Sequence, residues 1–138
     1  MYNVEVSNNN PQTVLVVDNL EEGRRLLGAW LKMRGYRVLE AEGGEEAVET
    51  ARRELPDLIL MDIKMPGLDG IGAAQLIRGD LGLRDVAIVA HSADNTEYNR
   101  AKALEAGFND YLVKPVLPEE LEGMLDRLLP SKKEYIVH

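Results

Sequence analysis

Five short apolar runs alternate with five stretches in which apolar residues recur at helical spacing, and no other feature of this chain narrows its fold so far. The runs are Thr13–Val17, Val38–Ala41, Leu58–Met61, Val86–Ala90 and Tyr111–Val113. Each is rich in β-branched or bulky apolar residues and too short for a helix. Strands alternating strictly with helices give a parallel sheet covered by helices on both faces. Strands buried on both faces should be continuously apolar, whereas edge strands admit charge. Val14–Val17, Leu58–Met61 and Ala87–Ala90 are uninterrupted, which puts strands one, three and four in the centre. Arg37 and Glu40 mark strand two as an edge, and the short strand five, after Asn109-Asp110, takes the other. A doubly wound, five-stranded α/β sheet in the order 2-1-3-4-5 meets these conditions.

The helical stripes define the expected core. In Leu20–Met33, the residues Leu26, Leu27, Trp30, Leu31 and Met33 share one broad face, with Arg24, Arg25, Lys32 and Arg34 largely opposite. Gly35 closes that helix. Ala47, Val48, Ala51 and Leu55 mark the second helix, which ends before Pro56. Ile71, Ala74 and Ile77 mark the third, with Asp69 as its N-terminal cap. Tyr98, Ala101, Leu104 and Phe108 suggest the fourth, closed by Gly107, and Leu117, Leu121, Met124, Leu125 and Leu128 the fifth. The domain is expected over residues 12–130, after a flexible polar leader (1–11) and before a short polar tail (131–138).

Composition excludes several functions. The absence of cysteine removes disulfide scaffolds, thiolate nucleophiles and Cys-ligated zinc, and two histidines leave little for a His-based metal site. A net charge of −8 opposes nonspecific nucleic-acid binding, which depends on Lys and Arg contacts to phosphates. The longest apolar runs fall far short of the ~20 residues that span a membrane. No basic region precedes an apolar stretch at the start, so no signal peptide is read there. A cytoplasmic protein without direct nucleic-acid or membrane partners is the expectation.

All strands of an open parallel sheet end at one edge, and ligands bind in the crevice there. The residues that stand at those ends are Asp18 and Asn19, Asp62, Ser92 and Lys114. Two carboxylates, an amide, a hydroxyl and an ammonium thus converge from four segments. Such an oxygen-rich set suits Mg²⁺, and the lysine supplies a point charge for a phosphate oxygen. Together they look like a phosphoryl-transfer site, where catalysis is mostly positioning and charge neutralisation. His91, by alternation, points away from Ser92 toward the packed helices and reads as a core histidine. No Walker loop or G-x-G-x-x-G occurs.

Four segments carry a resemblance: Val14–Asn19; Pro56–Gly70; Ala90-His91-Ser92-Ala93; and Ala106–Pro115. In their order and spacing the chain resembles the receiver domain of two-component response regulators, over about Thr13 to Leu129. The resemblance implies a flavodoxin-like fold and a signalling switch that promotes only its own phosphorylation and dephosphorylation. It implies that Asp62 accepts a phosphoryl group from a partner's phosphohistidine. Asp18 would help hold Mg²⁺, with the backbone carbonyl of Lys64 as a further ligand. Lys114 would pair with Asp62 and then with the phosphoryl oxygens. Ser92 would move to the phosphoryl group and Tyr111 would turn inward behind it, altering the face made by helix four, strand five and helix five. Lys114-Pro115 resembles the family's cis peptide, which would aim the lysine. The implied partners are a sensor histidine kinase or histidine phosphotransfer protein and a downstream protein target.

One departure stands out. The family usually has two adjacent acids after strand one, the second generally the direct metal ligand; here that position is Asn19. Asp18, Asp62, Mg²⁺ and Lys114 then sum to +1, against zero for three carboxylates, which predicts weaker Mg²⁺ binding before phosphorylation. Asn19 also keeps open an alternative, a receiver-like binding module that acts without phosphorylation.

Overall fold

The computed structural model describes residues 11–130 and the backbone of Asn3–Ser7 and Lys133–Val137. The rest of the expected leader and tail (residues 1–2, 8–10, 131–132 and 138) lies outside the described residues. In chain order the elements are β1 (Asn3–Ser7), β2 (Thr13–Val17), α1 (Glu21–Met33), β3 (Arg37–Ala41), α2 (Gly44–Glu54), β4 (Leu58–Met61), α3 (Gly70–Arg78), β5 (Ala87–Ser92), α4 (Glu97–Ala106), β6 (Asp110–Val113), α5 (Pro118–Leu128) and β7 (Lys133–Val137). The five-stranded sheet runs β3-β2-β4-β5-β6, all parallel, which is the order 2-1-3-4-5 among its own strands. Two strands absent from the sequence reading, β1 and β7, pair antiparallel with Asn3 opposite Val137. Val4, Val6, Tyr135, Ile136 and Val137 supply the β-prone residues of that pair.

Alternation along the central strands divides the core into two layers. Leu15, Val17, Ile59, Met61, Ile88 and Ala90 face α2, α3 and α4, where Ala47, Ala51, Ala73, Ala74, Ile77, Ala103 and Ala106 meet them. Val14, Val16, Leu58, Leu60, Ala87 and Val89 face α1 and α5, against Leu31, Leu121, Met124 and Leu125. Each buried branched side chain contributes roughly 1.5–3 kcal/mol relative to exposure. Asp69 caps α3 as expected, its Oδ1 accepting from Gly72 N–H at 2.9 Å.

Four expected helix faces need correction, the smallest on α5, where Leu117 is the N-cap and lies exposed. On α1, Leu26 and Met33 are exposed while Arg24 is buried, because the contact stripe is narrow and runs through Arg24, Gly28 and Leu31. On α4, Tyr98, Ala101 and Leu104 lie exposed, and the inward side is Ala103 and Ala106. Large side chains would hold that helix off its neighbours, so its contact side is made of alanines. Leu55 is not a stripe residue either. It ends α2 in the left-handed conformation, at φ 47°, and is exposed. Among the described residues, no helix is long and apolar enough to cross a membrane.

The central strand carries the packing. Replacing fully buried Ile59 by alanine should cost about 2–5 kcal/mol of unfolding free energy, read from urea denaturation at neutral pH.

Candidate functional site

The carboxyl edge of the sheet is fixed by backbone bonds before any side chain is considered. Asp18 follows β2, and its N–H donates to the Ala41 carbonyl at 3.2 Å; Asp62 follows β4, and its N–H donates to the Val17 carbonyl at 3.0 Å. Lys114 follows β6, and its N–H donates to the Ser92 carbonyl at the end of β5 at 2.8 Å. Both aspartates are buried, at 3% and 8% exposure. The Lys114-Pro115 peptide is cis.

Two buried carboxylates on adjacent strands repel each other unless a cation stands between them. Lys114 does so. Its Nζ donates to Asp18 Oδ2 at 3.2 Å and to Asp62 Oδ2 at 3.1 Å. Partial burial opposes the ammonium charge, but hydrogen bonds and charge from Asp62 and Asp18 outweigh it and hold the lysine above its ordinary pKa. The remaining oxygens accept from the backbone: Asp18 Oδ1 from Leu20 N–H at 2.9 Å, Asp62 Oδ1 from Lys64 N–H at 3.3 Å. Gly70 seats α3 directly on this backbone. A Cβ there would lie 2.4 Å from the Asp62 carbonyl oxygen and 2.8 Å from Ile63 Cα.

Ser92 and Tyr111 stand beside this group and share a partner. Ser92 Oγ accepts from Asp94 N–H at 3.2 Å, and Tyr111 OH donates to the Asp94 carbonyl at 2.6 Å. The Asp94 carboxylate accepts from Thr96 N–H at 2.9 Å and Asn99 Nδ2 at 2.5 Å, and Lys64 Nζ lies 3.6 Å away. The sequence reading missed Asp94, although Asp94-Asn95-Thr96 has the composition of a turn leading into a capped helix. It also missed Arg24. That guanidinium is buried; Nη1 donates to the Asp18 carbonyl at 2.8 Å and Nε to Glu40 at 3.0 Å, with Glu42 3.6 Å from Nη2. A helical arginine paired with an edge-strand glutamate was the available signal.

The donors at this edge are oxygens, the chemistry that suits Mg²⁺, which binds through one or two carboxylates and keeps several waters. Asp18 and Asp62 fit that requirement. Asn19 is exposed, and it contributes no charge. In keeping with its neutrality, no three His, Cys, Asp or Glu side chains among the described residues gather where they could hold a metal ion.

Comparison with known proteins agrees with this geometry. Residues 14–126 match the model of the family described as response regulator receiver domain. The chain is 42% identical over 118 residues to a probable transcriptional regulator, ycf27, of Guillardia theta, covering 86% of this chain and 45% of that protein. It spans about half the length of the curated relatives it matches. Among solved structures, the Vibrio cholerae chemotaxis protein CheY4 superposes with a TM-score of 0.82 at 28% identity, covering 87% of this chain and all of that one. The receiver domain of a sensor histidine kinase from Pseudomonas aeruginosa, solved with a magnesium ion in its active site cleft, gives 0.79 at 38% identity, covering 88% and 100%.

His91 extends from β5 on the side opposite Ser92 and is buried. Burial, with help from the Lys114 charge, lowers its pKa from 6.5 to about 4. The unfolded chain therefore takes up a proton at this residue that the folded protein refuses until the pH is much lower. The His91 contribution is nil above pH 6.5 and turns destabilising as pH falls toward 4, by about 3 kcal/mol in all. Urea titrations between pH 7 and 4.5 should show this loss, and His91→Leu should remove that part of the slope.

Proposed function

The chain belongs to the response regulator receiver domains, and from that premise we propose that it is a phosphorylation-controlled switch with Asp62 as the phosphoacceptor. The observation that carries the reading is the single ammonium of Lys114 held within 3.2 Å of both Asp18 and Asp62 at the carboxyl edge of a parallel sheet. A carboxylate oxygen of Asp62 attacks the phosphorus of a partner's phosphohistidine. The phosphorus–nitrogen bond breaks, the imidazole leaves with the electron pair, and an acyl phosphate remains on Asp62. Lys114 neutralises the added negative charge from a position it already holds. Asp18, Asp62, the Asn19 side chain and the Lys64 carbonyl would hold Mg²⁺, which supplies charge neutralisation at the phosphoryl oxygens.

The shared contacts of Asp94 suggest how the change is passed on. Ser92 Oγ gives up the Asp94 N–H for a phosphoryl oxygen, and Tyr111, tied to the Asp94 carbonyl, follows the same loop. The face made by α4, β6 and α5 then changes. The upstream partner is a sensor histidine kinase or a histidine phosphotransfer protein, and the downstream partner is a protein that reads that face. Asn19 favours a second reading, a binding module that works without phosphate.

Incubation with acetyl phosphate and Mg²⁺ separates the two readings. Intact mass should rise by one phosphoryl group in the wild type and not in Asp62→Asn; an unmodified wild type would favour the second. The Asn19 position has its own measurement. Asn19→Asp adds a full charge beside Asp18 and should tighten Mg²⁺ several-fold in a fluorescence or calorimetric titration, whereas equal affinities would remove the argument from charge.

A further inference from the structure

The turn that carries Asp18 and Asn19 has an anchor of its own. The Asp18 carbonyl lies one residue past the end of β2, and it accepts from Arg24 Nη1 at 2.8 Å rather than from a neighbouring strand. A peptide group is planar, so holding that carbonyl holds the whole Asp18–Asn19 peptide plane. The plane sets the directions in which the two side chains leave the main chain. Arg24 grips the turn a second time, since its N–H donates to the Leu20 carbonyl at 3.1 Å. No side chain caps α1, because Leu20 stands at the N-cap and offers no oxygen.

The guanidinium is itself held in place. Nε donates to Glu40 at 3.0 Å and Nη2 lies 3.6 Å from Glu42. Glu40 sits opposite Val16 in the ladder of β2 and β3, so the planar fork of Arg24 spans from α1 to the edge strand. A lysine has no such fork; its ammonium is a single point of charge on a flexible stem. The two carboxylates also offset the positive charge, which would otherwise repel a divalent cation nearby. Asn19 gives this placement added weight. Mg²⁺ demands near-ideal octahedral geometry, and a neutral amide oxygen has little but its position with which to meet that demand.

We infer that Arg24 is a positioning residue for Mg²⁺, holding the Asp18–Asn19 peptide plane so that both side chains face the metal. The inference rests on the reading of this edge as a receiver site, and it assigns a role to a residue that touches neither the metal nor the phosphoryl group.

The charge of Arg24 and its geometry act in opposite directions on the metal, which separates them. If charge alone acted, removing a cation would tighten Mg²⁺. Positioning predicts the reverse: folded Arg24→Met should bind Mg²⁺ about tenfold more weakly than the wild type, in an NMR titration followed at the Asn19 backbone amide. Arg24→Lys keeps the charge and loses the fork. It should bind a few-fold more weakly, and it serves as the test if Arg24→Met does not fold. Urea midpoints are measured alongside, since a merely structural role would lower them and leave the Mg²⁺ affinity of the folded protein unchanged. The inference is overturned if either folded variant binds Mg²⁺ as tightly as the wild type, or more tightly. Acetyl phosphate labelling keeps it distinct from the wider reading. A wild type that binds Mg²⁺ but gains no phosphoryl group overturns the switch, while a weakened Arg24→Met still supports the role of Arg24. A wild type with no Mg²⁺ affinity overturns both.

Discussion

One ammonium between two buried carboxylates organises the whole carboxyl edge of this protein. Asp18 and Asp62 arrive on adjacent strands with their backbone positions already fixed, so neither can withdraw from the other. Unit charges about 4 Å apart interact by about 4 kcal/mol at an effective dielectric constant near 20. Lys114 turns that repulsion into two attractions, and it comes from a third strand separated from both in sequence. Removing it would leave uncompensated buried charge, the costly way to break such a group. The site is therefore also a fastening between β2, β4 and the segment after β6, and its chemistry and its stability share the same atoms.

Much of this was legible in the chain. Continuous apolar runs at Val14–Val17, Leu58–Met61 and Ala87–Ala90 identified the central strands, and charge at Arg37 and Glu40 identified an edge. Asp18, Asp62 and Lys114 could be placed together because a parallel sheet brings all its strand ends to one side. The contacts that were not legible depend on three-dimensional fit. Arg24 looks like a surface cation by its spacing, yet the Asp18 carbonyl and Glu40 supply enough partners to bury it. Tyr98 and Leu104 look like a core stripe, yet α4 packs through alanines. Leu55 has an apolar side chain, but its backbone position ends a helix and leaves it in solvent.

Period-two alternation gives β5 a double role. Ser92 turns toward the Asp94 loop and Tyr111, while its neighbour His91 turns toward α1 and α5. The two sides of the sheet differ in character as well. One side is a hydrogen-bonded loop held by Asp94; the other is a hollow between α1 and the start of α5, walled largely by Leu26, Leu27, Trp30, Val116 and Leu121.

The glycines at 44 and 70 set limits on the loop that follows Asp62. At Gly44 a Cβ would come within 2.2 Å of the Leu68 carbonyl oxygen, and at Gly70 the Asp62 carbonyl is nearly as close. The segment from Asp62 to Gly70 is thus held near each end by a close approach of main chain to a glycine, Asp62 and Ile63 at Gly70 and Leu68 at Gly44. The side chains that can be exchanged in this span at little structural cost are the exposed Lys64 and Pro66, since Gly67 holds a φ of 73° and Asp69 caps α3. Substitution there changes the chemistry of the outward surface while the span itself keeps its pitch.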